Sequence, residues 1–204
     1  YATNWTVYHS SNTGSPETDF LSLNLTDATA DNNVVWNDTA PTSSVVSIGT
    51  GNAVNRSGDE FIAYCWKATA GKSAFGNYTG TGSAGNAITG LGFRPAFVII
   101  KRTDSTSDWT IFDNQRDPFY GRTNNRLWAN LATAESTTAN YMEFTSDGFT
   151  LKAGDAAINA SSGTYIYMAF KDGREGSFFH DESGQRNSFE PENVQNYDVL
   201  PDSP

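Results

Sequence analysis

The sequence contains a single cysteine, Cys65, and this scarcity limits the covalent chemistry open to the chain. One cysteine forms no disulfide within its own chain and supplies no cysteine-rich zinc site. Because Cys65 lies in the apolar run from Phe61 to Trp66, we expect a buried and unreactive thiol. The two histidines, His9 and His180, are far apart and have no cysteine or histidine neighbour at zinc-ligand spacing. These residues therefore indicate neither a zinc site nor a cofactor.

Basic residues and long apolar runs are also scarce. Lysine and arginine number 13 against 23 aspartates and glutamates, which gives a formal net charge of −10. Nucleic-acid binding needs clustered lysine and arginine, so we expect no nucleic-acid partner. There is no signal-peptide pattern, and no apolar run approaches the ~20 residues of a membrane helix, so we expect no membrane insertion. The chain begins with Tyr1 and not with methionine, which leaves processing from a longer precursor open.

The residues that are abundant favour β structure. Thr, Ser, Asn, Gly and aromatic residues dominate, and no window of helical length has a three-to-four-residue apolar period with caps. Short strand-like runs alternate with Asn, Asp, Gly and Pro clusters, a pattern typical of sandwiches. The sequence predicts an all-β fold, an antiparallel, jelly-roll-like β-sandwich. The predicted strands are residues 5–9, 20–25, 34–36, 43–48, 60–67, 126–131, 141–145, 148–152 and 164–171.

Residues 92–113 contain the most distinct structural pattern. The apolar run from Phe97 to Ile100 follows Pro95, and residues 103–108 supply Thr, Ser and Asp turn chemistry before a second apolar segment. A run that is apolar on both faces belongs in a sheet covered on both sides. We therefore predict a buried β-hairpin here.

A glycine-rich stretch, residues 71–92, contains two partial phosphate-loop patterns. Residues 71–73 end like a Walker A loop, but Trp66 stands where the first glycine of that motif belongs. Residues 80–85 match the dinucleotide-binding glycine spacing, but further glycines and a proline follow instead of a helix that could hold a pyrophosphate. We interpret the stretch as turns and an irregular edge strand that includes Phe75.

The two halves of the sequence resemble each other. Residues 5–9 (Trp-Thr-Val-Tyr-His) match residues 109–113 (Trp-Thr-Ile-Phe-Asp) at an offset of about 104 positions. We predict two related copies of one unit, which pack as one compact β unit. Residues 1–70 are the first, truncated copy, and residues 71–171 are the second, complete copy. Two further pairs of segments support the match, residues 21–25 with 127–131 and residues 55–62 with 159–166.

The first copy lacks a counterpart of the strand predicted at residues 93–101, because it begins almost at Trp5. An open sheet edge has to be covered. Either the first copy packs onto the second, or a strand from elsewhere fills the gap, and a neighbouring subunit is one candidate donor.

Residues 172–204 form an extended acidic tail with eight acidic residues and two arginines. Its composition and lack of periodicity are typical of a segment that does not fold alone. We predict that it crosses onto neighbouring subunits as an assembly tail, with a tail lying along its own domain as the alternative. The predicted assembly anchors are its isolated apolar residues, Phe178, Phe179, Phe189, Tyr197 and Leu200.

Candidates for chemistry are few. Asp113 and Asp117 flank Arg116, and we interpret this group as a loop salt bridge, not as a catalytic carboxylate pair. Calcium binding in loops stays open, although no EF-hand pattern is present, and the candidate ligands are Asp27, Asp31 and Asp38, or Asp147 and Asp155. We therefore expect no catalytic residue and no enzymatic activity.

Aromatic residues suggest a different kind of site. Trp36, Trp128 and Tyr120 are candidates for stacking on sugar rings, because an aromatic face presents apolar area to the C–H side of a saccharide. Trp5 and Trp109 occupy matching positions in the two copies, and we assign both to the core.

Several of the quoted segments resemble a β-rich repeat domain found in virion structural proteins, tail or head decoration, of tailed bacteriophages of aquatic bacteria. Chains of that family often carry a further copy or a lectin-like sandwich upstream, and they usually continue after Phe170 with an Ala-Glu-x-Pro-like ending. Here the acidic tail follows instead. Residues 5–9, 38–45, 61–66, 75–82, 92–104, 109–113 and 159–170 carry the resemblance.

The resemblance implies a virion component. We therefore expect a non-enzymatic phage structural protein, a capsid-decoration or tail-fibre module, located in the extracellular particle. Its expected partners are further copies of itself, as a homo-oligomer, and other virion proteins. The alternative is a carbohydrate-binding adhesin on the virion surface, with a host-surface glycan as its ligand.

Overall fold

The structure is a computed structural model, and it describes residues 3–116, 122–123, 125–137 and 140–171. Most of the regular structure is β. The strands are β1 (Thr6–Val7), β2 (Asp19–Ser22), β3 (Ala30–Asp31), β4 (Ser73–Thr79), β5 (Asn86–Thr89), β6 (Pro95–Arg102), β7 (Thr110–Asp113), β8 (Arg122–Thr123), β9 (Leu127–Trp128), β10 (Met142–Thr145), β11 (Gly148–Leu151) and β12 (Thr164–Lys171). The one-turn helices are α1 (Asn33–Trp36), α2 (Asn52–Asn55) and α3 (Ala156–Asn159).

The strands form three antiparallel sheets. A five-stranded sheet has the order β4-β12-β6-β7-β9, a four-stranded sheet has the order β5-β11-β10-β8, and a three-stranded sheet has the order β1-β2-β3. Strand β4 forms one edge of the five-stranded sheet, as predicted for the glycine-rich stretch. The prediction of an all-β antiparallel fold is confirmed.

The main core lies between the five-stranded and the four-stranded sheets. Val98 and Ile100 of β6 point into it, together with Tyr165 of β12 and with Phe149 and Leu151 of β11. All five side chains are fully buried. The two sheets therefore face each other as a β-sandwich.

A second core covers the opposite face of the five-stranded sheet. Ile99, Trp109 and Ile166 from that sheet pack against Leu21 of β2, and Val7 of β1 lies beside them. Alternate residues of β6 thus enter two different cores. The prediction that this apolar run is covered on both sides is confirmed, and the cover on the second face comes from the first part of the chain.

Three predicted strands are wrong. Residues 34–36 lie in α1, because the Asn32 side chain accepts a hydrogen bond from the amide of Val34 and Asn37 ends the turn with a φ of 54°. Residues 43–48 and 60–67 form no strand with any described part of the chain. Their composition favours pleated structure, but a strand exists only where a second strand pairs with it.

Equivalent hydrogen bonds hold the hairpins β1–β2 and β7–β9. The amide of Trp5 donates to Oδ1 of Asn24, and the amide of Trp109 donates to Oδ1 of Asn130, both over 2.9 Å. The register of the two hairpins is also the same. In each hairpin, the residue after the tryptophan pairs with the residue two positions before the asparagine, Thr6 with Ser22 and Thr110 with Trp128.

The helices α2 and α3 also correspond. Nδ2 of Asn55 donates to the carbonyl of Gly49, and Nδ2 of Asn159 donates to the carbonyl of Ala153, both over 2.9 Å. In both cases the asparagine donor lies 6 residues after the acceptor in the sequence. Two local structures are therefore repeated along the chain in the same order.

Candidate interaction surface

Every residue from 57 to 70 is exposed. Residues 60–67 (Glu-Phe-Ile-Ala-Tyr-Cys-Trp-Lys), here called the 60–67 segment, carry large apolar side chains. The exposed fractions are 47% for Phe61, 63% for Ile62, 61% for Tyr64 and 56% for Trp66. No backbone hydrogen bond joins residues 60–66 to any other described residue. An exposed apolar run of this kind is a candidate for contact with another molecule.

The segment of the second half that corresponds to residues 60–67 is largely buried. The 60–67 segment matches β12, and β12 is paired along both edges, with β4 and with β6. Tyr165 and Ile166, which correspond to Phe61 and Ile62, are 0% and 2% exposed. The difference arises from the neighbouring strands, because no described strand stands beside the 60–67 segment.

Three exposed aromatic rings lie in a row on this surface. Trp5 and Tyr64 are stacked with ring centroids 6.3 Å apart, and Tyr64 and Trp66 are stacked with centroids 6.1 Å apart. Tyr64 and Trp66 are two residues apart, a spacing that places both side chains on one face of an extended segment. We call Trp5, Tyr64 and Trp66 the aromatic row.

Two sequence-based assignments are wrong at this surface. Trp5 was expected in the core but is 52% exposed, whereas its counterpart Trp109 is buried and donates its indole N–H to the carbonyl of Ser22. Cys65 was expected to be buried and is exposed. Trp109 is buried by contact with Leu21, Ile99 and Ile166, whereas neither Trp5 nor Cys65 belongs to a core cluster of the described residues.

Residues 1–173 match a known protein family, which is described as a domain of unknown function, DUF7483. The chain belongs to the DUF7483 family. The match covers the three sheets and the 60–67 segment and ends two residues after β12. No curated protein and no solved structure matches the chain.

The residues predicted to stack on sugars are not assembled into one site in this DUF7483 chain. Trp36 is only 8% exposed, and its indole N–H donates to the carbonyl of Asp19, so burial excludes it as a stacking residue. Trp128 is half-buried, and the guanidinium of Arg126 lies 5.0 Å from its ring centroid. Tyr120 lies outside the described residues, as do the predicted assembly anchors Phe178, Phe179, Phe189, Tyr197 and Leu200.

The predicted salt bridge at Arg116 is present. Nε of Arg116 lies 2.6 Å from Asp113, and its Nη1 lies 2.8 Å from Glu135. Asp117 lies outside the described residues. The carboxylate of Asp113 also accepts the amide of Gln115, so this group holds a loop together.

Two of the loop aspartates considered for calcium, Asp147 and Asp155, are engaged in local structure. Asp147 accepts the amides of Gly90 and Gly92, which lowers its pKa, and Asp155 caps α3 and pairs with Arg126. Within the described ranges, no group of three His, Cys, Asp or Glu side chains is placed to hold a metal ion. No helix in the same ranges is long and apolar enough to cross a membrane.

Lys101 is the most unusual charged residue of the core. Its side chain is fully buried, and Nζ donates to the carbonyls of Thr26, Arg102 and Ser107 over 2.8–3.1 Å. Burial lowers the pKa of Lys101 to about 8, although Asp108 opposes the shift. All three donors are used by carbonyls, so Lys101 ties two loops to the end of β6.

His9 likewise has a structural role. Its Nε2 lies 3.0 Å from the carbonyl of Tyr167 and its Nδ1 accepts the amide of Ser11. Burial lowers the pKa of His9, which keeps the ring neutral in its contact with β12.

A polar recess of about 410 Å³ lies beside β4 and β12 and is lined by Asn12, Thr29, Asn77 and Asp104 among others. The carboxylate of Asp104 accepts from Arg102 and from the amide of Thr164, and these bonds lower the pKa of Asp104 to about 2. The recess therefore presents mainly polar groups, in contrast to the exposed apolar side chains of the 60–67 segment.

Proposed function

We propose that this chain is a non-enzymatic structural protein of a phage virion, a capsid-decoration or tail-fibre module that works by binding other protein chains. The observation that carries the proposal is the 60–67 segment, which is exposed, apolar and without backbone partners among the described residues. Proteins that act alone cover or charge such edges, whereas assembly proteins pair them with another chain. The motif resemblance to virion proteins supports the same class.

The acidic tail, residues 172–204, is the second proposed assembly element. Its support is its composition, with isolated apolar anchors in a segment that has too few apolar residues to fold alone. The tail and the 60–67 segment are separate parts of the chain, so their contributions are separable by mutation.

Light scattering at matched concentrations tests the proposal. The intact chain is expected to have the mass of an oligomer, and Ile62→Asp is expected to reduce that mass because it places a charge on the apolar surface. Leu131→Asp is the matched control, since Leu131 is also an exposed apolar residue but lies in the second half of the chain. A chain ending at Lys171 measures the contribution of the tail. Folded monomers for all four proteins would overturn self-assembly.

A carbohydrate-binding adhesin on the virion surface is the second candidate function. The aromatic row favours it, because half-exposed Trp and Tyr rings in a line are suited to the apolar faces of successive sugar rings. Titration with host-surface glycans should quench tryptophan fluorescence, and Trp66→Ala should abolish the change. Trp128→Ala is the control. A glycan response that survives Trp66→Ala would exclude the aromatic row as the site.

A further inference from the structure

The last described strand ends beside the 60–67 segment. The amide of Lys171, the last residue of β12, donates to the carbonyl of Lys72 over 2.8 Å. Ser73 follows Lys72 and begins β4, and its hydroxyl donates to the carbonyl of Lys67 over 2.8 Å. These two hydrogen bonds bring the end of β12 next to the end of the 60–67 segment. The acidic tail therefore starts beside this exposed apolar surface.

Positive charge is concentrated at the same place. The chain has five lysines, and three of them are Lys67, Lys72 and Lys171. All three are exposed. The 60–67 segment contains one acidic residue, Glu60, at its opposite end. A chain with a formal net charge of −10 thus carries most of its lysines where its acidic tail begins. Opposite charges at this place favour docking of an acidic segment.

The first eleven residues of the tail match this surface in charge and in apolar character. Residues 172–182 (Asp-Gly-Arg-Glu-Gly-Ser-Phe-Phe-His-Asp-Glu) contain four acidic residues and one arginine. Two adjacent aromatic residues, Phe178 and Phe179, lie between the acidic ones. Fully extended, the seven residues from Lys171 to Phe178 span about 23 Å. The two phenylalanines therefore reach well beyond the point where the tail starts.

We propose that residues 172–182 of one copy of the chain dock on the 60–67 segment of a second copy. Phe178 and Phe179 pack against the aromatic row, and the acidic residues lie beside the lysines. This deepens the proposed function, on which it rests, because the two assembly elements become the two halves of one contact.

The starting point of the tail predicts a closed dimer. In each copy the tail begins beside the surface that receives the tail of the partner. Two copies that face each other through this surface therefore exchange their tails over a short distance. A contact that is made in both directions obeys two-fold symmetry and leaves no open site for a third copy. We expect the intact chain to have the mass of a dimer.

Mixing two full-length variants tests the contact. Ile62→Asp places a charge on the receiving surface and keeps the tail, whereas the double variant Phe178→Ser, Phe179→Ser alters the tail and keeps the surface. Each variant alone should be a monomer by light scattering at a concentration where the intact chain is a dimer. An equimolar mixture should form dimers, because each variant supplies the half that the other lacks. With one contact instead of two, the Kd of the mixed dimer should be about tenfold or more above that of the intact chain.

Controls separate this contact from unspecific effects. Tyr197→Ser with Leu200→Ser changes two apolar residues of the tail outside residues 172–182, and it should leave the dimer intact. Near-UV circular dichroism confirms that each variant is folded. Reversing the charges of Lys67 and Lys72 to glutamate should raise the Kd of the dimer roughly tenfold at low salt. The increase should be much smaller in about 1 M salt, where screening acts over about 3 Å.

Three results would overturn the inference. The double phenylalanine variant could keep the mass of the intact oligomer, or the mixture of two monomeric variants could stay monomeric. In both cases self-assembly of the intact chain would stand, and only the docking of the tail on the 60–67 segment would fail. If the intact chain is itself a monomer, self-assembly and this inference fail together.

Discussion

Asn159 provides the sharpest test of how the sandwich is held together, because it is fully buried and every polar atom of its side chain is bonded. Its Oδ1 accepts the amide of Thr81 over 2.8 Å and Nδ2 of Asn86 over 2.9 Å. Its Nδ2 donates to the carbonyls of Ser83 over 2.7 Å and Ala153 over 2.9 Å. One side chain therefore fixes the loop between β4 and β5 onto α3.

Asn159→Ala removes four short hydrogen bonds and leaves the buried end of its own site without the polar groups that now hold Thr81, Ser83, Asn86 and Ala153. At about 1 kcal/mol per bond, the free energy of unfolding should fall by about 4 kcal/mol. For a protein of this size the midpoint of thermal unfolding should fall by roughly 8–16 °C. Asn159→Asp should be at least as damaging, because its second oxygen would face two carbonyl oxygens where Nδ2 now donates.

Asn55→Ala is the matched control, since Asn55 holds the same position in α2. It is exposed and donates one hydrogen bond, to Gly49, so the expected loss is about 1 kcal/mol or less. Urea unfolding followed by tryptophan fluorescence measures both variants. Equal losses for the two asparagines, or a loss below about 1 kcal/mol for Asn159→Ala, would refute this account of the loop.

Two further predictions concern charge and aromatic burial. Because the pKa of Lys101 is lowered from 10.5 to about 8, the unfolded chain keeps a proton between these pH values that the folded chain has lost. The free energy of unfolding should therefore rise with pH in that window, by no more than about 1.4 kcal/mol per unit. Urea unfolding at pH 7–9.5 should show this rise in wild type and not in Lys101→Met; a rise of equal size in both would exclude Lys101 as its source. Trp109→Ala should lower the free energy of unfolding by about 3–5 kcal/mol, whereas Trp5→Ala should cost under about 1.5 kcal/mol. Similar losses in the same assay would contradict the different burial of these two tryptophans.

The sequence was sufficient to predict the β class and most strands of the second half, with β5 and β8 as the exceptions. The apolar run from Phe97 to Ile100 has no polar face, and this pattern alone places it inside a covered sheet. Strand β12 was predicted from its strand-like run of apolar residues, and the edge strand β4 from the glycines and aromatic residues of its stretch. In each of these cases, the strands that pair with the predicted one are present in the same chain.

The same reasoning failed where the pairing partner is missing. The 60–67 segment has the composition of β12, and composition does not record whether a neighbouring strand exists. Cys65 was assigned to the core because it lies in this apolar run, and Trp5 because it matches Trp109. The available signal was the alignment of the two halves, because no described strand of the first half corresponds to β6.

Lys101 and Trp36 illustrate a different limit. A lysine at the end of an apolar strand normally extends to solvent, and its burial here depends on the carbonyls of Thr26 and Ser107 from two loops together with that of Arg102. Trp36 is buried because α1 turns it toward Asp19. Both depend on loop paths that a local sequence pattern does not specify.

The place of β12 in the sheet has a mechanical consequence. Residues 172–204 follow β12 directly in the sequence, so any tension applied through them enters the sandwich along this strand. Its pairing with β4 and with β6 extends over nearly its whole length. Tension parallel to the strand would shear both rows of hydrogen bonds together instead of opening them one at a time. Residues 172–204 are therefore joined to the described fold through a strand that resists being pulled out of its sheet.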